Sequence, residues 1–287
     1  MRIAIAGAKG QLGAALVNEC HGRHDDVTAL DRSALDVRNG RAVADVMDRL
    51  RPEVVVNCTG YNTVDAAEDH PVDALELNAF AVRGLARAAN AVGAALVHYS
   101  TDFVFDGVEP TPRTEADPPN PNSVYATSKL LGEWFAADVP RHYVLRVESL
   151  FGQVAGGPPP KGSVASIVEA LIHGRVAKVL IDRVVSPTFI ADAAFATREL
   201  LERDAAPGLY HCVNSGYASW LDFASEAARL LGVEPHFDVL RFADVQLPAA
   251  RPQYCALSNA KLAAVGIHMP SWQDALRRYV KSLVATR

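Results

Sequence analysis

Tyr125 and Lys129 lie four residues apart, shortly after the stretch Leu96-Val97-His98-Tyr99-Ser100-Thr101-Asp102. On a helix, residues at that spacing share a face, so the ammonium can pull a phenol below its usual pKa of about 10 and make it a usable proton donor. The apolar run that breaks into Ser-Thr-Asp reads as a buried strand. It delivers hydroxyls and a carboxylate to a sheet edge, where open α/β proteins bind ligands. Tyrosine and lysine at this spacing are common in unrelated helices, so the pair acquires meaning only from the elements that position it.

Residues 2–6 read as a short strand running into Gly7-Ala8-Lys9-Gly10-Gln11-Leu12-Gly13 and a helical start at 14–17. Glycines at a strand-to-helix junction permit a tight turn, close approach of backbone N–H groups to a pyrophosphate, and close helix–sheet packing. A second strand is expected over 26–30, ending at Asp31-Arg32. An acid there suits the ribose 2′-hydroxyl of NAD, and an adjacent arginine the 2′-phosphate of NADP, so both cofactors stay open. Leu35-Asp36-Val37 lies where an adenine ring can approach, although an Asp at a helix start more often caps it.

A helix over 42–50 is stopped by Pro52, and a near-continuous apolar strand follows over 54–58. Then come the loop Thr59-Gly60-Tyr61-Asn62, helices over 63–68 and 74–92, and a strand over 94–99. A helix over 125–137 and a strand over 143–147 complete the alternation, which predicts an α/β fold with a Rossmann-type doubly wound parallel sheet. Asn78 falls inside a helix, where an Asn more often satisfies local backbone than touches a ligand. Beyond Glu148 the pattern loosens. Gly156-Gly157-Pro158-Pro159-Pro160-Lys161-Gly162 lacks the ending of a phosphate loop and reads as a lid or linker. Helices are expected over 163–173, 190–202, 220–231 and 272–284, and strands over 179–182 and 209–213. The expected organisation is a dinucleotide-binding domain over 1–150, to which 176–203 returns. A smaller α/β substrate-binding domain over 151–287 covers the ligand edge.

The 287 residues carry a net charge of −5 and 49% hydrophobic content. That suffices for a sizeable core and lacks the basic footprint of a nucleic-acid or anionic-membrane binder. No apolar run reaches the length of a membrane span and no charged leader is visible, so a soluble cytoplasmic protein is expected. Cys20, Cys58, Cys212 and Cys255 include no Cys-x-x-Cys pair and read as reduced thiols. The histidines show no metal-site spacing, and Ser100 with His98 lacks the Gly-x-Ser-x-Gly elbow of a hydrolase.

Together, the glycine turn, the Ser-Thr-Asp strand end and Tyr-x-x-x-Lys resemble the extended short-chain dehydrogenase/reductases. More narrowly, several stretches are similar to the dTDP-4-dehydrorhamnose reductase family. They are Asn57, Tyr61, Val64-Asp65 with Ala67-Glu68, the run His-Tyr-Ser-Thr-Asp-Phe-Val-Phe-Asp-Gly at 98–107, Ser186-Pro187-Thr188, Gly208-Leu209-Tyr210-His211 and Arg251-Pro252. The resemblance spans nearly the whole chain. It implies reduction of the 4-keto group of a nucleotide-linked 6-deoxysugar, dTDP-4-dehydrorhamnose first of all, with NADPH or NADH, and it leaves room for a homodimer.

The same resemblance implies that Tyr125 protonates the sugar carbonyl oxygen as hydride arrives, that Thr101 hydrogen-bonds that oxygen, and that Lys129 holds the nicotinamide ribose. Gly7, Gly10, Gln11, Leu12 and Gly13 would meet the pyrophosphate, and Asp31, Arg32, Asp36 and Val37 the adenosine. Gly60, Tyr61, Asn62, Asn78 and Tyr99, with Tyr125 and Lys129, would meet the rest of the cofactor. Val64, Thr101, Asp102, Ser149 and Arg251 would face the substrate, and no metal is implied. The family usually reads Arg-Thr-Ser-Trp-Val-Phe-Gly after the fifth strand, where this chain has Arg146-Val147-Glu148-Ser149-Leu150-Phe151-Gly152. Ser149 replaces a ring that packs on the sugar, and Glu148 adds a charge beside it. Asn62 replaces a threonine, and a proline-rich loop over 109–122 replaces the usual Asn-Phe segment. These departures touch the substrate side and spare Thr101, Tyr125 and Lys129. Two alternatives are a reductase of another nucleotide-linked keto-sugar and a non-catalytic cofactor-binding subunit, as in the methionine adenosyltransferase β subunit.

Overall fold

The computed structural model describes residues 1–285. Six strands, β1 (Arg2–Ala6), β2 (Asp26–Leu30), β3 (Val54–Asn57), β4 (Ala95–Thr101), β5 (His142–Val147) and β6 (Gly208–His211), form one sheet in the order 2-1-3-4-5-6. Every neighbouring pair is parallel. Parallel strands are covered on both faces, which is why β3 and β4 are buried along their whole length. The order reverses between β1 and β3, and that switch opens the crevice where such sheets bind ligands. Gly7 lies at this point with φ +79°, and a Cβ on it would come within 2.9 Å of the Cys58 carbonyl carbon. Only glycine lets the first turn pass the end of β3.

The longer helices are α1 (Gln11–Gly22), α2 (Gly40–Leu50), α3 (Ala81–Val92), α4 (Val124–Ala136), α5 (Ser163–Ile172), α6 (Ile190–Glu202), α7 (Trp220–Leu231) and α8 (Trp272–Ala285). One face of the sheet packs Ile3, Ile5, Val97 and Leu145 against Leu16 of α1 and Ala193 and Leu200 of α6. The other packs Val55, Leu96 and Val144 against Met47 of α2 and Leu85 of α3. A separate aromatic core joins Phe151, Phe189, Phe223, Trp272 and Tyr279.

The segment expected to return to the first domain over 176–203 divides between the two cores. Ala177–Leu180 pairs with Phe237–Leu240 beside the aromatic core, whereas α6, β6 and parts of 262–269 belong to the first core. The burial explains the division: Ala177 and Val179 alternate with exposed Lys178, the pattern of a half-covered strand, while the alanines of α6 allow close packing on α1. The helix expected over 74–92 is also interrupted. Pro71–Leu75 is α-helical, Glu76–Phe80 forms one π turn, and α3 follows. A π turn is a wider turn of the helix, and it is often found at functional sites. Among the described residues, no helix is long and apolar enough to cross a membrane. The four cysteines are free thiols, with Cys20, Cys212 and Cys255 buried.

Candidate active site

Helix α4 carries Tyr125 and Lys129, and five contacts fix it. At its start the Ser123 hydroxyl accepts from Ala126 N at 3.2 Å and Glu68 Oε1 accepts from Val124 N at 2.9 Å. In its middle, Asn78 Nδ2 donates to Ser128 Oγ at 2.9 Å and to Tyr61 O at 3.1 Å, while Asn78 Oδ1 accepts from Tyr61 N at 2.7 Å. Gly132 packs directly on the π turn: a Cβ there would lie 2.3 Å from the Asn78 carbonyl oxygen. Near its end, Glu133 accepts two 2.8 Å hydrogen bonds from the guanidinium of Arg146 on β5. Such a bidentate pair is strong and directional, and here both partners are buried.

This mounting brings Tyr125, 8% exposed, and Lys129, 4% exposed, against the carboxyl end of β4. The Thr101 hydroxyl lies near enough to the Tyr125 phenol to oppose the rise in its pKa. Thr101 Oγ1 in turn donates to Asp102 Oδ1 at 3.0 Å, and the Tyr125 ring meets Phe103 edge-on at 5.6 Å. Lys129 Nζ donates to the Tyr99 carbonyl. Burial pushes the Tyr125 phenol above its ordinary value, with the Thr101 hydroxyl opposing and the Asp102 carboxyl adding to the rise. The spacing argument expected the ammonium to lower the phenol, but Lys129 is spent on a strand carbonyl. Burial lowers Lys129 itself to about 8, opposed by Glu133. Tyr125 is therefore a neutral phenol at neutral pH, the form that can give a proton.

The glycine turn fits a dinucleotide. No side chain caps α1, so the N–H groups of its first turn are free for an anion, and a Cβ at Gly13 would lie 2.2 Å from the Gly7 oxygen. Gly10, Gln11 and Leu12 line the same turn. Asp31 at the end of β2 pairs with Lys9 and accepts from Ser33 N and Ala34 N at 2.9 Å. Lys9 and these hydrogen bonds hold it far below the usual carboxylate range. Asp36 is held at about 2 by its hydrogen bonds from Arg38, Arg32 is exposed and Val37 is buried. The acids and cations stay interleaved on this side, as the opposing NAD and NADP cues in the sequence suggest.

Two expected cofactor residues are committed elsewhere. The Tyr99 phenol bonds Thr197 Oγ1 at 2.6 Å inside the first core, leaving its backbone carbonyl for Lys129. All three hydrogen bonds of the Asn78 amide go to Tyr61 and Ser128, so Asn78 positions the loop of Gly60, Tyr61 and Asn62 beside α4. On the substrate side, Val64 opens the short helix Val64–Asp69, and Asp65 in it accepts from Arg251 Nη2 at 2.7 Å. Arg251 lines a cavity of about 430 Å³ with Lys178, Arg183, Ser163, Ser166 and Trp220. Of these only Arg251 stood out in the sequence, through its Arg-Pro pair; the signal for Arg183 was its place just before Ser186-Pro187-Thr188.

Ser149 adopts a left-handed φ of +44°, turning the chain out of β5 toward Leu150–Phe151. Beside it, Glu148 points inward and accepts from Ser186 N at 2.7 Å. The loop over 109–122 is strapped to the second half of the chain, with Arg113 N donating to Ala256 O at 2.9 Å and Glu115 accepting from His211 N at 2.8 Å. The lid or linker at 156–162 follows a segment docked on α1, where Gln11 and Asn18 donate to the Gly152 and Ala155 carbonyls, each at 3.5 Å.

A family model described as RmlD substrate binding domain matches residues 1–285. A Streptomyces griseus protein named dTDP-4-dehydrorhamnose reductase is 36% identical over 280 residues, covering 95% of this chain and 90% of its own. A Streptomyces antibioticus protein, named a probable dTDP-4,6-dihydroxy-2-methyloxan-3-one 4-ketoreductase, is 34% identical with 99% and 96% covered. The crystal structure of Bacillus anthracis dTDP-4-dehydrorhamnose reductase in complex with NADP superposes with a TM-score of 0.92 at 30% identity, over 98% of this chain and 99% of that one. With the strand order, the glycine turn and the meeting of Thr101, Tyr125 and Lys129 already in place, these matches show that the chain belongs to the dTDP-4-dehydrorhamnose reductase family of Rossmann-type oxidoreductases.

Proposed function

We propose that this protein reduces the 4-keto group of a dTDP-linked 6-deoxysugar, dTDP-4-dehydrorhamnose first of all, which would yield dTDP-rhamnose. The observation that carries the reading is the buried, neutral Tyr125 phenol beside Thr101 at the end of β4, one helical turn from Lys129. When bound, NADPH or NADH supplies hydride to the sugar carbon. Tyr125 gives its proton to the carbonyl oxygen as negative charge develops there, and the Thr101 hydroxyl turns from Asp102 Oδ1 to donate to the same oxygen. Lys129 holds the nicotinamide ribose, and Gly7 with residues 10–13 holds the pyrophosphate. In the cavity behind Arg251, the cations Lys178, Arg183 and Arg251 suit a diphosphate, and Trp220 offers a ring to the base. The proposed partners are the nucleotide sugar and a second copy of the chain, with no nucleic acid or membrane, and the proposed compartment is the cytoplasm.

A second reading keeps the chemistry and changes the sugar. Ser149 in place of a stacking ring favours it, as does the name of the Streptomyces antibioticus relative. Following NADPH and NADH absorbance over a panel of dTDP-linked 4-keto sugars tests both. Turnover is expected with at least one of them. Tight NADP binding without turnover on any would overturn the enzyme reading and leave a cofactor-binding subunit.

A further inference from the structure

Beyond Thr101 lies a cluster of charge that the reduction itself does not use. Asp102 and Glu148 are each 3% exposed, and a carboxylate oxygen of each lies within 4.8 Å of the other and of the Cys255 sulfur. One oxygen of each is committed, Asp102 Oδ1 to the Thr101 hydroxyl and Glu148 Oε2 to Ser186 N. The other two, Asp102 Oδ2 and Glu148 Oε1, are buried without a partner. Among the described residues Arg183 is the cation that faces both carboxyls. It lies over the Phe103 ring at 5.5 Å and donates to Cys255 Sγ at 3.8 Å. The remaining titratable neighbours are the Cys255 thiol, kept neutral by burial, Tyr254 beside Glu148, and Tyr125 beside Asp102.

Two carboxylates and one guanidinium leave an uncompensated negative charge in a water-poor site, and like charges this close do not both ionise. Burial raises Asp102 to about 6, with Arg183 opposing. Burial and then the Asp102 charge raise Glu148 well above the carboxylate range. The cluster therefore retains one proton near neutrality, and two hydroxyl contacts link it to the group that must give a proton in every turnover.

We propose that Asp102 and Glu148 share one proton and form the reservoir that restores Tyr125, through Thr101 Oγ1, after each reduction. The inference rests on the reading under Proposed function. In the reduction the Tyr125 O–H bond breaks, its proton goes to the substrate oxygen and the electron pair stays on the phenolate. Thr101 then gives its hydroxyl proton to the phenolate and takes one from the carboxyl pair. The pair is left doubly ionised opposite Arg183 and regains a proton from water as product leaves. Each hydride consumed thus draws one proton from solvent by way of two positioning carboxyls.

Glu148→Gln and Asp102→Asn test this, because either leaves one carboxyl opposite one guanidinium, which ionises. Infrared spectra of the substrate-free protein near neutral pH are expected to show a protonated-carboxyl band in the wild type that both variants lack. In steady-state NADPH oxidation with the dTDP-linked sugar that the wild type reduces, Glu148→Gln is expected to lose about tenfold in kcat at about pH 8. Its kcat should converge on the wild-type value as pH falls and the remaining carboxyl regains its proton. A band that persists in both variants, or a loss of kcat equal at every pH, overturns the reservoir. Turnover by a wild type without the band overturns the reservoir alone, whereas a band without turnover on any sugar overturns the catalytic reading and the reservoir's role with it.

Discussion

Gly132→Ala puts the mounting of the catalytic helix under direct strain. The added methyl would lie 2.3 Å from the Asn78 carbonyl oxygen and 3.0 Å from His98 Nε2. Carbon and oxygen approach to about 3.3 Å at closest, so α4 or the π turn must yield by about 1 Å. Helix propensity pulls the other way, since alanine is better than glycine in a helix interior by about 1 kcal/mol. Against it stand overpacking at ~1–3 kcal/mol and the weakening of the hydrogen bonds from Asn78 to Tyr61 and Ser128. The opposing atoms are a backbone carbonyl and a buried imidazole, neither of which swings aside cheaply, so overpacking wins. The expected net loss of stability is ~1–2 kcal/mol. Catalysis suffers more. Lys129 and Tyr125 precede Gly132 by three and seven residues on the same helix, so both move relative to Thr101, and a displacement of about 1 Å costs about 100-fold in rate. Urea midpoints report the first effect, and kcat for NADPH oxidation reports the second. A variant that unfolds at or above the wild-type midpoint and keeps kcat within about twofold would refute this account of the packing.

Tyr125→Phe keeps the ring against Phe103 and removes only the hydroxyl, so kcat should fall by about 100-fold or more while NADPH affinity, read by fluorescence titration, stays within about twofold. Comparable turnover in that variant removes Tyr125 from the mechanism. Asn78→Ala strands Tyr61 N and Tyr61 O and leaves Ser128 Oγ only its bond to the Tyr125 carbonyl, and chemical denaturation should show a loss of ~2–4 kcal/mol; a loss below about 0.5 kcal/mol means the π turn holds α4 by packing alone. Burial raises Asp25, but hydrogen bonds from Arg198 at 2.6 Å and the N-terminal ammonium at 2.8 Å outweigh it and hold the carboxyl below its ordinary 3.8. Its folded value is the lower one, so its stabilisation is complete above the unfolded value and is lost as pH falls through the folded one. Arg198→Met should raise the pH midpoint of acid unfolding, and an unchanged midpoint would show that the pair is not stabilising.

What could be read from the sequence is what local signals encode. The glycine turn, the apolar runs of β3 and β4, and the bounds 190–202 and 220–231 follow from spacing and capping within a few residues, and the structure has helices over those two spans. The features that local signals do not encode share a different cause. That β6 and parts of 262–269 close the first core, while Ala177–Leu180 leaves it, depends on long-range pairing: β6 lies on the open edge of β5, and Ala177–Leu180 pairs with Phe237–Leu240. Helical spacing places Tyr125 and Lys129 on one face but says nothing of the strand carbonyl that captures the ammonium. The π turn left one trace, a polar Asn78 inside an alanine-rich run, and only the contact with Ser128 shows its purpose. Tyr99 lies two residues after Val97 on β4, so both side chains share the core face.

The same contrast explains why the reaction type was readable before the substrate. Thr101, Tyr125 and Lys129 sit on two adjacent elements of the sheet layer, held by Glu68, Asn78, Gly132 and Arg146, so their geometry is fixed several times over. The proposed substrate wall draws on single residues of separate segments: Ser149 after β5, Lys178 and Arg183 near the small strands, Trp220 on α7 and Arg251 beyond them. A change at one of these leaves the others in place. Ser149 illustrates the freedom, since a left-handed non-glycine residue costs ~1 kcal/mol, and the turn it makes goes with a carboxyl directed inward onto Ser186 N rather than a ring laid against the sugar. A wall with less stacking area and a buried acid next to Asp102 would recognise a different sugar without moving the Tyr125 phenol proposed as the proton donor.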